Sequence, residues 1–468
     1  MDKTPRQGLS KRWLIVLRFL ALAGTLLAAA CGHLVRDTPP DTGQPPDTWR
    51  PMSMDGAPSP RRFATTTWTG RELVVWGGGS DPTTFPQKMG IYNDGSRYDP
   101  RTDRWRPMST ANAPSPRMYA TGVWTGRELL VWGGGDLSLP LPFSPAMGGG
   151  IYNPVSDTWH PMSPSGLAMR GNSTVVWTGT ELLVWGGTMD ALGTKPGEWR
   201  WYSVSDGARY NPNADSWAPI SAIGAPDGAR RGIWTGKELL VWSTGEDHTW
   251  TPSAPARPGA RYDPAKDMWT PMTVVNAPSP YASVAAWTGS ELLVWGDPNG
   301  EGARYNPATD TWARISTLGA PLAHHPETII WTGQDLLVWG GCCYPPRSGR
   351  GGFANDGGLY NPRTDTWTPI GADGAPASRS SYAAVWTGRE FVVWGGCCNP
   401  PGKELNDGAR YDVAARRWEP LPLAGAPTPR VGPQPVVWTG RELLVWGGNS
   451  RAGSLSDGAT YRPPDIQR

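Results

Sequence analysis

Residues 123–134 read Val123-Trp124-Thr125-Gly126-Arg127-Glu128-Leu129-Leu130-Val131-Trp132-Gly133-Gly134. The Trp-Thr-Gly triplet starts at Trp68, Trp124, Trp177, Trp234, Trp287, Trp331, Trp386 and Trp438, at intervals of 44 to 57 residues. A period near 50 marks a repeat architecture. Small or β-branched residues precede each triplet, and Leu-Leu-Val-Trp or a close variant follows it. The Gly between them supplies the positive φ of a tight hairpin turn. Each copy therefore opens as two antiparallel strands, the second ending in Trp and, in six copies, a Gly pair.

A second pattern follows each hairpin. A Tyr and a Trp stand seven positions apart, from Tyr98 to Trp105 through to Tyr411 to Trp418. Asn-Pro or Asp-Pro between them marks another turn in most copies. Two hairpins make four short strands per repeat, which is a propeller blade. The expected fold is all-β, an eight-bladed propeller with four antiparallel strands per blade. Three Trp per blade account for 24 of the 28 Trp; only Trp13, Trp199, Trp201 and Trp250 stand outside the pattern.

A Gly pair closing one strand, followed by this Tyr and Trp, resembles the Kelch repeat. The resemblance runs from about Trp49 to Pro464, and the central domain of galactose oxidase is similar. It implies a Kelch β-propeller, a fold that serves binding proteins and a few enzymes, so the fold does not choose between them.

Net charge is +2 with 18% charged residues, which leaves no electrostatic footprint for nucleic acid. Lys3, Arg6, Lys11 and Arg12 precede an apolar run from Trp13 to Ala30, and Cys31 follows. That order reads as a secretory signal over residues 1–30. Ending on Cys, it resembles a bacterial lipoprotein signal, which implies lipid on Cys31, export and a place on the cell-envelope membrane. Ordinary cleavage and an uncleaved anchor helix are the alternatives. Residues 31–46 are Pro-rich and read as an extended tether. Residues 47–464 form the propeller and 465–468 a tail. Asp47-Thr48-Trp49 repeats the last strand of a blade before any first strand has occurred, while the C-terminal pattern stops at Tyr461 without its Trp. Trp49 should therefore complete the eighth blade beside Tyr461 and remove the open edge.

Connections from second to third strand hold 7 to 22 residues and share one face with the blade-to-blade links. Variable loops on a rigid scaffold carry recognition. Arg62, Arg117, Arg170, Arg231, His324, Arg379 and Arg430 open the innermost strands and are expected to ring the channel mouth. An Arg at this place is common in Kelch-like repeats, so a structural role stands beside the functional one, a positive rim that attracts a carboxylate or other anion. Trp199, Trp201 and Trp250 fall in neighbouring loops and either pack those loops on themselves or serve sugar stacking or a protein partner. Cys342-Cys343 and Cys397-Cys398 occupy matching places in blades six and seven. Export would oxidise them. Vicinal bridges within each pair are preferred, although neighbouring Cα atoms about 3.8 Å apart fall short of the usual range of about 4.4–6.8 Å. Cross-blade bridges and free or metal-bound thiols are the other possibilities.

No catalytic residue is assigned. The few His lack the spacing of a metal site, so no metal or cofactor is expected. The expected function is binding of a ligand or protein partner by a monomer through its loop face. The alternative is a propeller enzyme, oxidase- or isomerase-like, acting on a carbohydrate or small anion.

Overall fold

The computed structural model describes residues 42–80, 90–136, 144–145, 148–168, 170–192, 199–226, 231–242, 259–278, 284–296, 300–321, 328–342, 353–397, 403–431 and 436–464. Among these residues there is no helix. The Trp-Thr-Gly turns link innermost and second strands, such as Thr65–Trp68 with Leu73–Trp76. Thr and Glu (Asp335 in blade six) close each turn by backbone bonds, and the Thr Oγ1 accepts the acidic residue's N–H, as Thr125 does from Glu128 at 3.0 Å. Third and outermost strands follow, as Gly95–Asp99 and Arg104–Pro107 in the first blade. Eight such four-stranded antiparallel sheets make an eight-bladed β-propeller.

The core lies between blades. Each of eight buried clusters draws on two adjacent sheets, the first and last blades included. The second-strand Trp of one blade meets the outermost-strand Trp of the next. Trp76 meets Trp159, Trp132 meets Trp217, Trp185 meets Trp269, Trp295 meets Trp367, Trp339 meets Trp418, Trp394 meets Trp49 and Trp446 meets Trp105, with centroids 4.5 to 6.2 Å apart. Burying 150 Å² of indole is worth about 4 kcal/mol before entropy is charged against it. That explains why Trp recurs at these positions.

The ring closes as its ends suggest. Thr48–Pro51 is the outermost strand of the eighth blade, antiparallel to Gly453–Arg462, with Trp49 opposite Tyr461. The chain reaches it across the turn face. Gln44 donates to the Thr48 and Thr460 carbonyls at 2.7 and 3.0 Å, and the Thr42 hydroxyl donates to Glu442 in the last Trp-Thr-Gly turn.

A second set of bonds ties blades together. Asp103, Asp157, Asp215, Asp267, Asp310 and Asp365 sit in the turns before the outermost strands with φ between 42° and 53°. Each accepts the repeat Tyr hydroxyl at 2.6 to 2.7 Å. The same oxygen accepts an N–H from the segment leaving the previous blade, as from Ser53 and Ser109. At Asp215 and Asp267 burial pushes the carboxyl up, but these hydrogen bonds outweigh it and hold the group below its ordinary range.

Blade seven breaks the rule. Arg416 stands where the Asp belongs, at φ 53°, and the buried Tyr411 hydroxyl has no hydrogen-bond partner among the described residues. Arg416→Asp is therefore expected to stabilise the protein by about 1–2 kcal/mol. It supplies an acceptor to a stranded hydroxyl and places an Asp in a left-handed backbone that Asp tolerates. Denaturant titration checks this; the same shift in Tyr411→Phe/Arg416→Asp would refute the hydroxyl as its source.

Candidate binding face

The two faces of the ring differ. The turn face repeats one Thr-capped hairpin eight times. On the other face, in the six blades with a Gly pair, the second strand passes that pair and bends into a blade-specific extension. Gly77 and Gly78 at φ 68° and 86° make that bend, and a Cβ on Gly78 would lie 2.7 Å from the Arg62 carbonyl. In blades six and eight the bend is a register shift within strands Leu336–Cys342 and Leu443–Ser450. In blade three it launches a separate ladder, Thr188–Leu192 against Trp199–Ser203. Trp199 and Trp201 thus stand on the loop-face extension of blade three. Cys342 ends the second strand of blade six. Cys397 holds the corresponding place in blade seven, exchanging backbone bonds of 2.9 and 3.0 Å with Ser380. Cys31, Trp250, His324, Cys343 and Cys398 lie outside the described residues.

The arginines of the incoming segments go inward. Arg117, Arg170, Arg379 and Arg430 are 1, 3, 0 and 3% exposed. Their guanidiniums donate to backbone carbonyls of the Gly pair and of the segment before the third strand. Arg117 bonds Gly133 O at 2.9 Å and Gly148 O at 3.0 Å, and Arg379 bonds Gly395 O and Asp407 O at 3.0 Å each. Asp206, Asp407 and Asp457 add ion pairs to Arg170, Arg379 and Arg430. Burial lowers Arg117 to about 10, and it lowers Arg430 against the opposing pull of Asp457. These side chains clamp the bend, and their charge is not spread on a solvent rim.

The first-blade counterpart is Arg61, not Arg62. Arg61 is fully buried, bonded to Gly77 O and Asp94 O, and paired with Asp94 at 3.0 Å. Counting seven residues back from Trp68 finds it, as the same count from Trp124, Trp177 and Trp386 finds Arg117, Arg170 and Arg379. Arg62 is half-buried, bridges Gly79, and has its guanidinium 4.9 Å from the Phe63 ring centroid. Arg231 is the first residue of an innermost strand, opposite Trp242.

Sequence reasoning passed over Phe63 and Tyr119. They immediately precede Ala64 and Ala120 at the loop-face ends of adjacent innermost strands. Their rings stack at 4.3 Å and 27°, both half-buried, and the Tyr119 N–H donates to Phe63 O at 3.0 Å. Among the described residues no group of three or more His, Cys, Asp or Glu is placed to hold a metal ion, and no helix is long and apolar enough to cross a membrane.

No protein-family profile matches the chain. Parts of it resemble parts of larger proteins. Two adagio-like proteins of Oryza sativa subsp. japonica are 32% and 31% identical over 112 residues, 23% of this chain and 18% of theirs. Acyl-CoA-binding domain-containing protein 4 of Arabidopsis thaliana is 30% identical over 101 residues, 21% of this chain and 15% of its own. The dynein alpha chain of the flagellar outer arm of Chlamydomonas reinhardtii is 34% identical over 88 residues, 18% and 2% of the two. The chain thus spans less than a fifth of the length of these relatives, and what the likeness covers is about two repeats of an eight-bladed propeller.

Proposed function

We propose that this is a Kelch-type propeller, exported and held by lipid on Cys31, that binds a ligand or protein partner through its loop face. The observation that carries this reading is the contrast between the faces. One repeats the same capped turn eight times, while the other, among the described residues, carries extensions that range from a two-residue ladder in blade one to a five-residue ladder in blade three. Uniform turns serve the fold, and varied extensions on a rigid ring serve recognition. On this reading Cys342, Cys343, Cys397 and Cys398 would meet an oxidising compartment and pair among themselves.

The tether adds an orientation. The chain enters the propeller across the turn face, through Thr42 and Gln44. Ten residues between Cys31 and Thr42 span at most about 36 Å when extended. Lipid on Cys31 would hold the turn face toward the membrane and leave the loop face outward.

A thermal-shift screen of neutral and anionic glycans tests the binding role. A ligand is expected to raise the midpoint, with the shift lost on changing loop-face Arg62 to Gln and kept on changing turn-face Arg127 to Ser. Loss with Arg127→Ser alone would reverse the assignment of faces. Cys31→Ser should move the protein from membrane to soluble fractions, and a membrane-bound variant would refute the anchor.

A further inference from the structure

Blade seven departs from its siblings at more than Arg416. In six blades one oxygen of the turn Asp accepts two bonds, from the repeat Tyr hydroxyl and from the N–H of the Ser or Thr that leaves the previous blade. Asp310, for instance, accepts from Tyr305 at 2.7 Å and from Thr273 at 3.2 Å. In blade seven both donors keep their places. Trp418 Nε1 donates to Gly371 O at 3.0 Å, as Trp367 Nε1 donates to Ser316 O at 2.7 Å, so Gly371 stands where Ser or Thr stands elsewhere. Among the described residues its N–H makes no hydrogen bond. The Tyr411 hydroxyl has no partner there either, on a residue 1% exposed. Neighbouring Asp412 is committed to Arg389 at 2.6 Å and to the Ala415 N–H at 2.8 Å. Two donors thus converge where the chain supplies no acceptor, and a buried donor in that state is costly.

The surrounding charges give the sign of what would answer them. Tyr305 lies among Asp310 of its own turn and Arg261 and Glu238 of the blade before. Blade six offers Asp335 in place of that Glu and Leu359 in place of that Arg, while Arg416 is near enough to act on both Asp335 and Tyr411. The cation has moved across the interface, and the set is short of one negative charge. Position 416 keeps the backbone of the Asp residues, at φ 53°. Its Cβ therefore stays in place, and what is missing beyond it has the size of one oxygen. We propose that blade seven binds a single-atom monovalent anion of the halide class, chloride in ordinary solution, between Tyr411 Oη and Gly371 N, with Arg416 as its counter-ion. A halide accepts from hydroxyl, amide and guanidinium donors as a carboxylate oxygen does. Arg416 and Gly371 are both exposed, so an ion entering between them displaces a surface side chain and leaves the core alone. The site lies at the turn end of the blade and does not depend on the loop-face reading.

Thermal unfolding of the full chain at constant ionic strength tests this. Replacing gluconate by chloride should raise the melting midpoint by about 1–3 °C. Arg416→Asp builds the acceptor in; it should melt above the parent in gluconate and show no chloride shift, so the gap between the two narrows as chloride rises. Tyr411→Phe removes one donor and its need for an acceptor, and should lose most of the shift without losing stability in gluconate. Tyr305→Phe, whose hydroxyl is answered by Asp310, should keep the parent's shift. In bromide-soaked crystals the anomalous signal should fall between Tyr411 Oη and Gly371 N. No shift in the parent, an equal shift in Arg416→Asp or Tyr411→Phe, or bromide absent from that place overturns the proposal.

Discussion

Trp49→Ala is expected to destabilise the propeller by about 3–5 kcal/mol, the range for truncating a buried Trp. Trp49 is 6% exposed, with its ring 5.5 Å from Trp394 and 5.1 Å from Tyr461. It provides the only outermost-strand Trp at the interface of blades seven and eight. Its Nε1 has no hydrogen-bond partner among the described residues, so what the variant loses is apolar packing. The other seven blades receive their outermost strand from the chain that has just built them. The eighth receives Thr48–Pro51 from more than 400 residues away, with Asp47 accepting the Tyr461 hydroxyl at 2.7 Å. Deleting residues 42–53 should therefore cost more than Trp49→Ala, because it also strips the bonds of Gln44 and Asp47 and bares the edge of Gly453–Arg462. Guanidinium unfolding followed by circular dichroism measures both. A midpoint unchanged by the deletion would mean that the ring does not depend on its latch.

That latch could be read before any coordinates, because closure is an arithmetic property of a repeat. A chain with a spare Trp strand at its start and a missing one at its end has one economical solution. The blade count followed equally directly from eight Trp-Thr-Gly turns. The site was less legible. A guanidinium four positions before a strand looks the same in sequence whether it faces solvent or carbonyls. What buries Arg117 is the bend of Gly133-Gly134 and the return of Gly148, contacts set by the third dimension. Two consecutive arginines in blade one hid which was the clamp. The spacing to Trp68 identifies Arg61, but only once that spacing is known to matter. Phe63 and Tyr119 gave no signal in the sequence, since nothing in Arg-x-Phe or Arg-x-Tyr announces a positive φ. The Arg416 fault was visible as a break in the Asp pattern, and its consequence for Tyr411 emerged only from burial.

Arg379→Met should cost about 3–5 kcal/mol although it swaps one long side chain for another, the range seen when one member of a buried polar set is removed. Arg379 is fully buried. Its Nε donates to Ala377 O at 2.9 Å, its Nη1 donates to Gly395 O and Asp407 O at 3.0 Å, and Asp407 pairs with it. Methionine fills the volume but donates nothing, so three carbonyls lose a donor and each pays its desolvation. Arg379→Lys should recover only part of the loss, because an ammonium cannot present the planar fork that spans these oxygens. A double variant with Asp407→Asn separates the terms. Asp407 is 49% exposed, so its ion pair contributes little and the carbonyl bonds carry the effect. The double variant should then be nearly as unstable as Arg379→Met alone. If Arg379→Met instead left the denaturation midpoint in place and abolished anion binding, the guanidinium would be a ligand group and not a clamp.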